Sequence, residues 1–221
     1  MAQILCDPVD HGGLMVSLVA GEGCAAHPWL HSAELNAGTT ATGNIADLVH
    51  MFSLLHGTAP GLIETVAREN VWAGADAFLR EACAGFVLER AYLADVIASA
   101  GPTPSTPGDS GTVSAILAQR QSLDTIARSE RFGCAIGAAV ALLLDWQPLR
   151  ATIDGAAERL GLAVPATRLP DDETCRALLA ALPERPRLDR TLAFGARQLL
   201  AHHSGLLDYL SIRADARGCA V

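Results

Sequence analysis

The amino-acid sequence predicts an all-α protein, built as a helical bundle of about four main helices with short peripheral helices. Two observations carry this prediction. Apolar residues recur at helical spacing over several long stretches, and glycine- or proline-rich segments separate those stretches. The chain has 221 residues, half of them apolar, which is enough for a sizeable core. We therefore predict one helical-bundle domain over residues 44–217, preceded by an irregular N-terminal segment over residues 1–43 that packs on the bundle.

The N-terminal segment is the least regular part of the chain. Glycine and proline separate two short apolar runs, residues 4–6 and 14–20, which are compatible with strands or with a strap across the bundle. The pattern leaves both alternatives open. Pro28 suits the first position of a short helix that extends to about Asn36.

Beyond this segment, apolar stripes and their flanking residues predict the helices in order. Asn44 is a good N-cap and Gly57 a good C-terminal residue, and the proline-rich loop at residues 101–109 is expected to turn an antiparallel helix hairpin. The predicted helices span residues 44–56, 60–69, 72–99, 110–146, 148–160, 171–182 and 188–215.

The stretch over residues 110–146 is predicted to be a long core helix. Its second half, residues 134–144, is apolar on every side and rich in alanine and glycine, which indicates burial among several close neighbours. The first half has a stripe that is expected to face inward, formed by Val113, Ile116, Leu117, Leu123 and Ala127.

Composition excludes several classes of function. All sixteen basic residues are arginine, so chemistry that needs a lysine amine, such as Schiff-base formation or a phosphate-binding P-loop, is absent. The net charge of −8 and the lack of a basic run argue against a nucleic-acid partner. Six scattered cysteines without a CxxC pair, and no apolar stretch long enough to span a bilayer, predict a cytoplasmic protein with reduced thiols and no membrane partner.

Charged side chains on apolar helix faces are the candidate functional residues, because such groups are seldom buried unless they are paired. We predict a polar pocket that binds a small acidic ligand through two arginines, with a histidine as its titrating member and two carboxylates beside them. A hairpin at residues 101–109 would place two of these residues near residues 120–124. The five residues are Arg90, Arg131, His203, Glu89 and Glu130. His56 also lies on an apolar stripe.

Two other interpretations stay open at this stage. The inward arginines and carboxylates could simply pair and fix the helix register, in an interaction scaffold without a ligand. A ferritin-like metal-dependent oxidoreductase with a degenerate site from Glu89, Glu130 and His203 is a further alternative, although the chain has no Glu-x-x-His motif. Its nearest match, Asp47-x-x-His50, is predicted to lie on a solvated helix face. No cofactor is identified.

The segment Cys24-x-x-His27-x-x-x-His31 contains residue types that bind zinc. A structural zinc site normally has four ligands in paired spacing, and this segment lacks that spacing. We therefore assign no metal site from the sequence.

Residues 120–150, RQSLDTIARSERFGCAIGAAVALLLDWQPLR, resemble an uncharacterised family of all-helical bacterial proteins. The resemblance implies an all-α fold and brings no function with it. The alanine- and glycine-rich face in this segment also suggests a homo-oligomer in which two copies pack through it.

Overall fold

The computed structural model describes residues 10–69, 72–105 and 109–218, and these residues form α-helices without a β-strand. The all-α prediction is confirmed. In the described ranges there are nine α-helices: α1 (His11–Glu22), α2 (Ala33–Asn36), α3 (Ala41–His56), α4 (Leu62–Glu69), α5 (Asp76–Ala100), α6 (Asp109–Ala127), α7 (Cys134–Arg159), α8 (Asp172–Ala180) and α9 (Leu188–Gly218).

The N-terminal segment contains a helix where the sequence left a strand or a strap open. The Asp10 carboxylate accepts a hydrogen bond of 2.8 Å from the Gly13 N–H and caps α1. Two short 3₁₀ turns, Cys24–Ala26 and Pro28–His31, lead from α1 to α2. Residues 4–6 of the predicted apolar runs lie outside the described residues. The division of the chain between residues 43 and 44 stays a prediction.

Helix α7 lies at the centre of the molecule, and its most extensive partner is α9. Every residue from Cys134 to Trp146 is buried, which confirms the burial predicted for residues 134–144. Two glycines allow the two helices to approach closely. A Cβ atom at Gly137 would overlap the backbone of Leu192, and one at Gly195 would overlap the backbone of Cys134. The alanine- and glycine-rich segment is thus covered by α9 of the same chain, which removes it as a surface for a second copy.

The prediction of one helix over residues 110–146 is wrong. Helix α6 ends at Ala127 and α7 begins at Cys134. Gly133 has a φ of 90°, a left-handed conformation that interrupts the helix and that glycine adopts without strain. The sequence allowed Pro148 to begin a new helix or a bend. A new helix is wrong, because Pro148 lies inside α7.

The predicted hairpin of α5 and α6 is also wrong. In the described ranges, α3 and α4 each pack against both α5 and α6, whereas α5 and α6 share no extensive contact. The outer surface of α6 also differs from the predicted stripe, because Val113 and Leu117 are 37% and 44% exposed. Ile116, Leu123 and Ala127 are buried as expected.

None of the helices in the described part of the chain combines the length and the apolar character that a membrane span requires.

Candidate functional site

A fully buried histidine lies where α3, α7 and α9 meet. His203 on α9 has no exposed surface, and its Nδ1 atom is 2.7 Å from Asp145 Oδ2 on α7. On the other side of the ring, His203 Nε2 is 2.8 Å from Nε2 of His56, the last residue of α3. Phe52 packs edge-on against His203 with the ring centroids 5.4 Å apart. The sequence correctly placed both histidines on inward faces.

The 3₁₀ turn after α1 brings a cysteine to the same cluster. The Cys24 N–H donates a 2.6 Å hydrogen bond to Asp145 Oδ1, and Cys24 Sγ lies 3.7 Å from His203 Nδ1. Gly23 has to be small, because a Cβ atom there would overlap the Asp145 carboxylate. Burial and the neighbouring Asp145 carboxylate raise the pKa of the Cys24 thiol well above its usual value.

Burial also determines the charge on His56. Desolvation, together with the nearby His203, Arg90 and Arg120, holds the pKa of His56 well below its usual value, so this imidazole is neutral at pH 7. Since the Asp145 carboxylate only accepts, Nδ1 of His203 carries the hydrogen of that contact. On the other side of the ring, the Nε2 atoms of His203 and His56 share a hydrogen bond. The cluster is therefore a continuous chain of hydrogen bonds from Asp145 to His56.

Arg90 joins this cluster through the backbone rather than through a histidine side chain. Its Nε–H donates to the His56 carbonyl oxygen at 2.9 Å, and its two terminal nitrogens bind the Glu64 carboxylate at 2.5 and 2.9 Å. Burial alone would raise the pKa of Glu64, but the hydrogen bonds from Arg90 and from the Gly61 N–H outweigh burial and leave that pKa below its usual value.

Glu89 belongs to a second buried network on the far side of Trp146. One of its carboxylate oxygens accepts a 3.0 Å hydrogen bond from the indole N–H of Trp146, and the other accepts one of 2.5 Å from Arg150. Arg150 also binds Asp154 and stacks over the ring of Tyr92 at 4.2 Å. Both carboxylate oxygens of Glu89 are therefore engaged, and Arg150 links α5 to α7 and to the loop at Pro165.

A pocket of about 670 Å³ opens between the end of α3, the start of α4 and the middle of α6. We call it the α3–α6 pocket, and His56 forms part of its wall. Its other lining residues are Leu55, Pro60, Gly61, Leu62, Leu117, Arg120, Gln121, Leu123, Asp124, Thr125 and Arg128. A groove of about 830 Å³ lies between α5 and residues 162–168, but the buried carboxylate in its wall, Glu89, is already paired with Arg150.

The charged groups of the α3–α6 pocket differ in their pairing. Arg128 binds Asp124 at 3.0 Å and Glu69 at 3.1 Å, so its charge is compensated. Arg120 is half-buried, and within the part of the chain that the structure describes it forms neither an ion pair nor a side-chain hydrogen bond. The pocket therefore presents one guanidinium group that forms no direct ion pair with a described residue, next to a neutral histidine.

The structure separates the five ligand residues predicted from the sequence. Arg131 and Glu130 are exposed on the connection between α6 and α7, so the expectation that they face inward is wrong. It failed because the helix on which their orientation was counted ends at Ala127. Arg90, Glu89 and His203 do lie inside the molecule, each with a different set of partners, and none of the three lines the α3–α6 pocket.

Other sequence motifs also have different surroundings from those expected. His27 contacts Asp208 at 3.0 Å and His31 contacts the Ala25 carbonyl oxygen at 2.8 Å, so neither joins Cys24 at a common site. Asp47 was predicted to be solvated, but it is buried and paired with Arg213 at 3.0 Å. Helix α9, which covers α3, carries this arginine, and the periodicity of α3 alone gives no sign of it.

The chain is thus an all-α protein with a buried Cys–Asp–His–His cluster beside a pocket. It belongs to a family of unknown function, DUF6975, whose model matches residues 19–218. This confirms the resemblance of residues 120–150 to an uncharacterised helical family. Comparison with curated proteins and with solved structures gave no match.

Proposed function

We propose that the protein binds a small organic acid with an apolar body in the α3–α6 pocket. The observation that carries the proposal is the half-buried guanidinium of Arg120, which has no partner among the described residues and lines a pocket of about 670 Å³. Pockets of this size are typical of small-molecule sites. The acidic ligand expected from the sequence is kept, but the binding residues become Arg120 and His56.

The charge of the pocket favours an anion. Arg128 is already paired with Asp124 and Glu69, whereas the Arg120 guanidinium forms no ion pair with a described residue and can pair with a ligand anion. A guanidinium offers two parallel N–H donors to a carboxylate, an arrangement stronger than a hydrogen bond between neutral groups. The neutral imidazole of His56 adds a polar group without a competing charge.

The rest of the wall favours an apolar body on the ligand. Leucine side chains from three helices and Pro60 contribute to the wall, and Leu117 is 44% exposed. Covering this surface would remove apolar area from water and contribute to binding. We therefore expect straight-chain carboxylates to bind more tightly as their chain lengthens from acetate to octanoate.

A thermal-shift series tests this proposal. Wild-type protein is heated with acetate, butyrate, hexanoate or octanoate, and with the alcohols of equal chain length as uncharged controls. We expect the melting temperature to rise with chain length for the acids and to change little with the alcohols, because a ligand that binds only the folded state stabilises it.

Two variants locate the site. Arg120→Gln is expected to abolish the shift produced by octanoate, whereas Arg131→Gln, which removes an exposed arginine outside the α3–α6 pocket, should keep it. Equal shifts with acids and alcohols, or an undiminished shift in Arg120→Gln, would refute the proposal.

These features make a scaffold without a ligand the less favoured alternative. The scaffold would have every inward arginine paired, whereas Arg120 lines a pocket and forms no ion pair with a described residue. Homo-oligomer formation and a cytoplasmic location stay predictions.

A further inference from the structure

We propose that Cys24, Asp145 and His203 bind a zinc-type transition-metal ion inside the molecule, where the turn after α1 meets α7 and α9. The three side chains are fully buried, and their candidate ligand atoms all lie within 4.8 Å of one another. Its three ligand residues differ from the pocket residues Arg120 and His56, so either proposal can fail while the other stands.

The distance between the sulfur and the ring nitrogen suits tetrahedral angles at a bound ion, to which the protein would supply three ligands. Zinc lies about 2.3 Å from a cysteine sulfur and about 2.0 Å from a histidine nitrogen, so a tetrahedral site separates these two ligands by about 3.6 Å. Cys24 Sγ and His203 Nδ1 are 3.7 Å apart. Asp145 Oδ2 lies only 2.7 Å from His203 Nδ1, which is the distance of a hydrogen bond and is shorter than the distance between two ligands of one ion. An ion at this place would require the carboxylate to withdraw by roughly 0.6 Å.

The outer contacts of the three residues are those that metal ligands typically have. A ligating histidine usually donates its other ring N–H to a neighbour, and a ligating carboxylate is itself hydrogen-bonded. Nε2 of His203 faces Nε2 of His56 at 2.8 Å, and Asp145 Oδ1 accepts the Cys24 N–H at 2.6 Å. Metal binding releases the thiol proton of Cys24. It also requires His203 to hold its ring hydrogen at Nε2 and to donate it to Nε2 of neutral His56, so that Nδ1 is free for the ion.

Charge and ligand type select the class of ion. A Cys24 thiolate and an Asp145 carboxylate together balance a divalent cation, and neutral His203 adds no charge, so the site is neutral in a buried environment. A sulfur and an imidazole nitrogen favour zinc or cobalt over magnesium or calcium, which prefer oxygen ligands. The ion would tie the N-terminal segment to α7 and α9. We assign it a stabilising role because the three ligands are fully buried in the folded protein, so that the ion enters and the proton leaves as the site forms during folding.

Metal analysis of the full chain, produced without a histidine tag, tests the proposal. Protein from zinc-supplemented medium is expected to retain about one zinc ion per chain, since enclosed ligands exchange slowly. Protein from cobalt-supplemented minimal medium should show a near-ultraviolet thiolate-to-cobalt charge-transfer band. Wild-type protein with less than about a tenth of an ion per chain would overturn the proposal, as would bound cobalt without that band.

Cysteine variants test whether Cys24 is the residue that supplies the thiolate ligand. Cys24→Ala should lose the band and the bound metal, whereas Cys175→Ala, which removes another buried thiol, should keep both. If Cys24→Ala does not fold, alanine variants of the other five cysteines identify the thiolate ligand by elimination. Each should keep the band, and loss of the band in any one of them would overturn the assignment.

Discussion

At the residue scale, two contacts between histidine and aspartate differ mainly in burial. His203 and Asp145 are both fully buried at 2.7 Å, whereas His27 contacts Asp208 at 3.0 Å with the aspartate side chain 68% exposed. A buried polar group that loses its partner retains the full desolvation penalty, but an exposed one turns to water. The same chemical pair should therefore contribute very differently to stability.

We expect Asp145→Ala to lower the free energy of unfolding by about 3 kcal/mol or more, because it leaves both the His203 N–H and the Cys24 N–H without an acceptor. Asp208→Ala, the matched control, should lower it by less than about 1 kcal/mol. Urea titration followed by circular dichroism measures both. Equal losses in the two variants would show that the buried cluster has no special role in stability.

The Arg90–Glu64 pair predicts how stability changes with pH. Because the pKa of Glu64 is lower in the folded protein than its ordinary value of 4.5, its ionised form stabilises the fold above that pH, and this contribution is lost as the pH falls below it. In Glu64→Gln the loss of stability between pH 6 and pH 3.5 should be smaller than in the wild type. Unfolding in urea at several pH values tests this, and an unchanged pH dependence would contradict the assignment.

Individual residues were predictable only where one helix determines their surroundings. His56 and His203 lie in the middle of apolar stripes, so their burial followed from helical spacing. The contact of Cys24 with Asp145 joins residues 121 positions apart, and no pattern within either segment indicates it. The same holds for Arg120, which becomes part of the pocket only because α3 and α4 pack next to α6.

At the scale of the helices, local signals predicted most elements, and the break between α6 and α7 and helix α1 are among the features that they missed. Helices at residues 44–56, 60–69, 72–99 and 188–215 match α3, α4, α5 and α9 closely. The break at residues 128–133 was missed because those residues include no proline, and its signal was a single glycine with positive φ after a charged run. Helix α1 was missed because its three glycines weaken helical propensity, although Asp10 supplies a good cap.

The close approach of α7 and α9 gives a prediction for glycine substitutions. Gly195→Ala should lower the free energy of unfolding by about 2 kcal/mol or more, since its methyl group would overlap the Cys134 carbonyl of α7. Gly205→Ala in the same helix meets only Gln119 at 3.7 Å and should be neutral or raise stability by up to about 1 kcal/mol, through better helical propensity. Thermal unfolding of both variants tests the contact, and similar effects of the two substitutions would contradict it.

At the scale of the whole molecule, the fold places one pocket against the outer end of a buried polar cluster. Helices α3, α4 and α6 supply the pocket, and α7 and α9 supply the cluster behind His56. The close packing of α7 on α9 encloses the polar cluster of Asp145 and His203 within a large apolar core. Ligand binding is thus expected to depend on the position of α6 relative to α3, as well as on Arg120.

Titration calorimetry of octanoate into the purified protein tests the central claim most directly. We expect one molecule to bind per chain in the wild type, and the affinity to fall by about tenfold or more in Arg120→Gln, which corresponds to loss of a charge-assisted hydrogen bond. If the wild type released no binding heat at any temperature, or if Arg120→Gln bound octanoate as tightly as the wild type, the α3–α6 pocket would not be an acid-binding site.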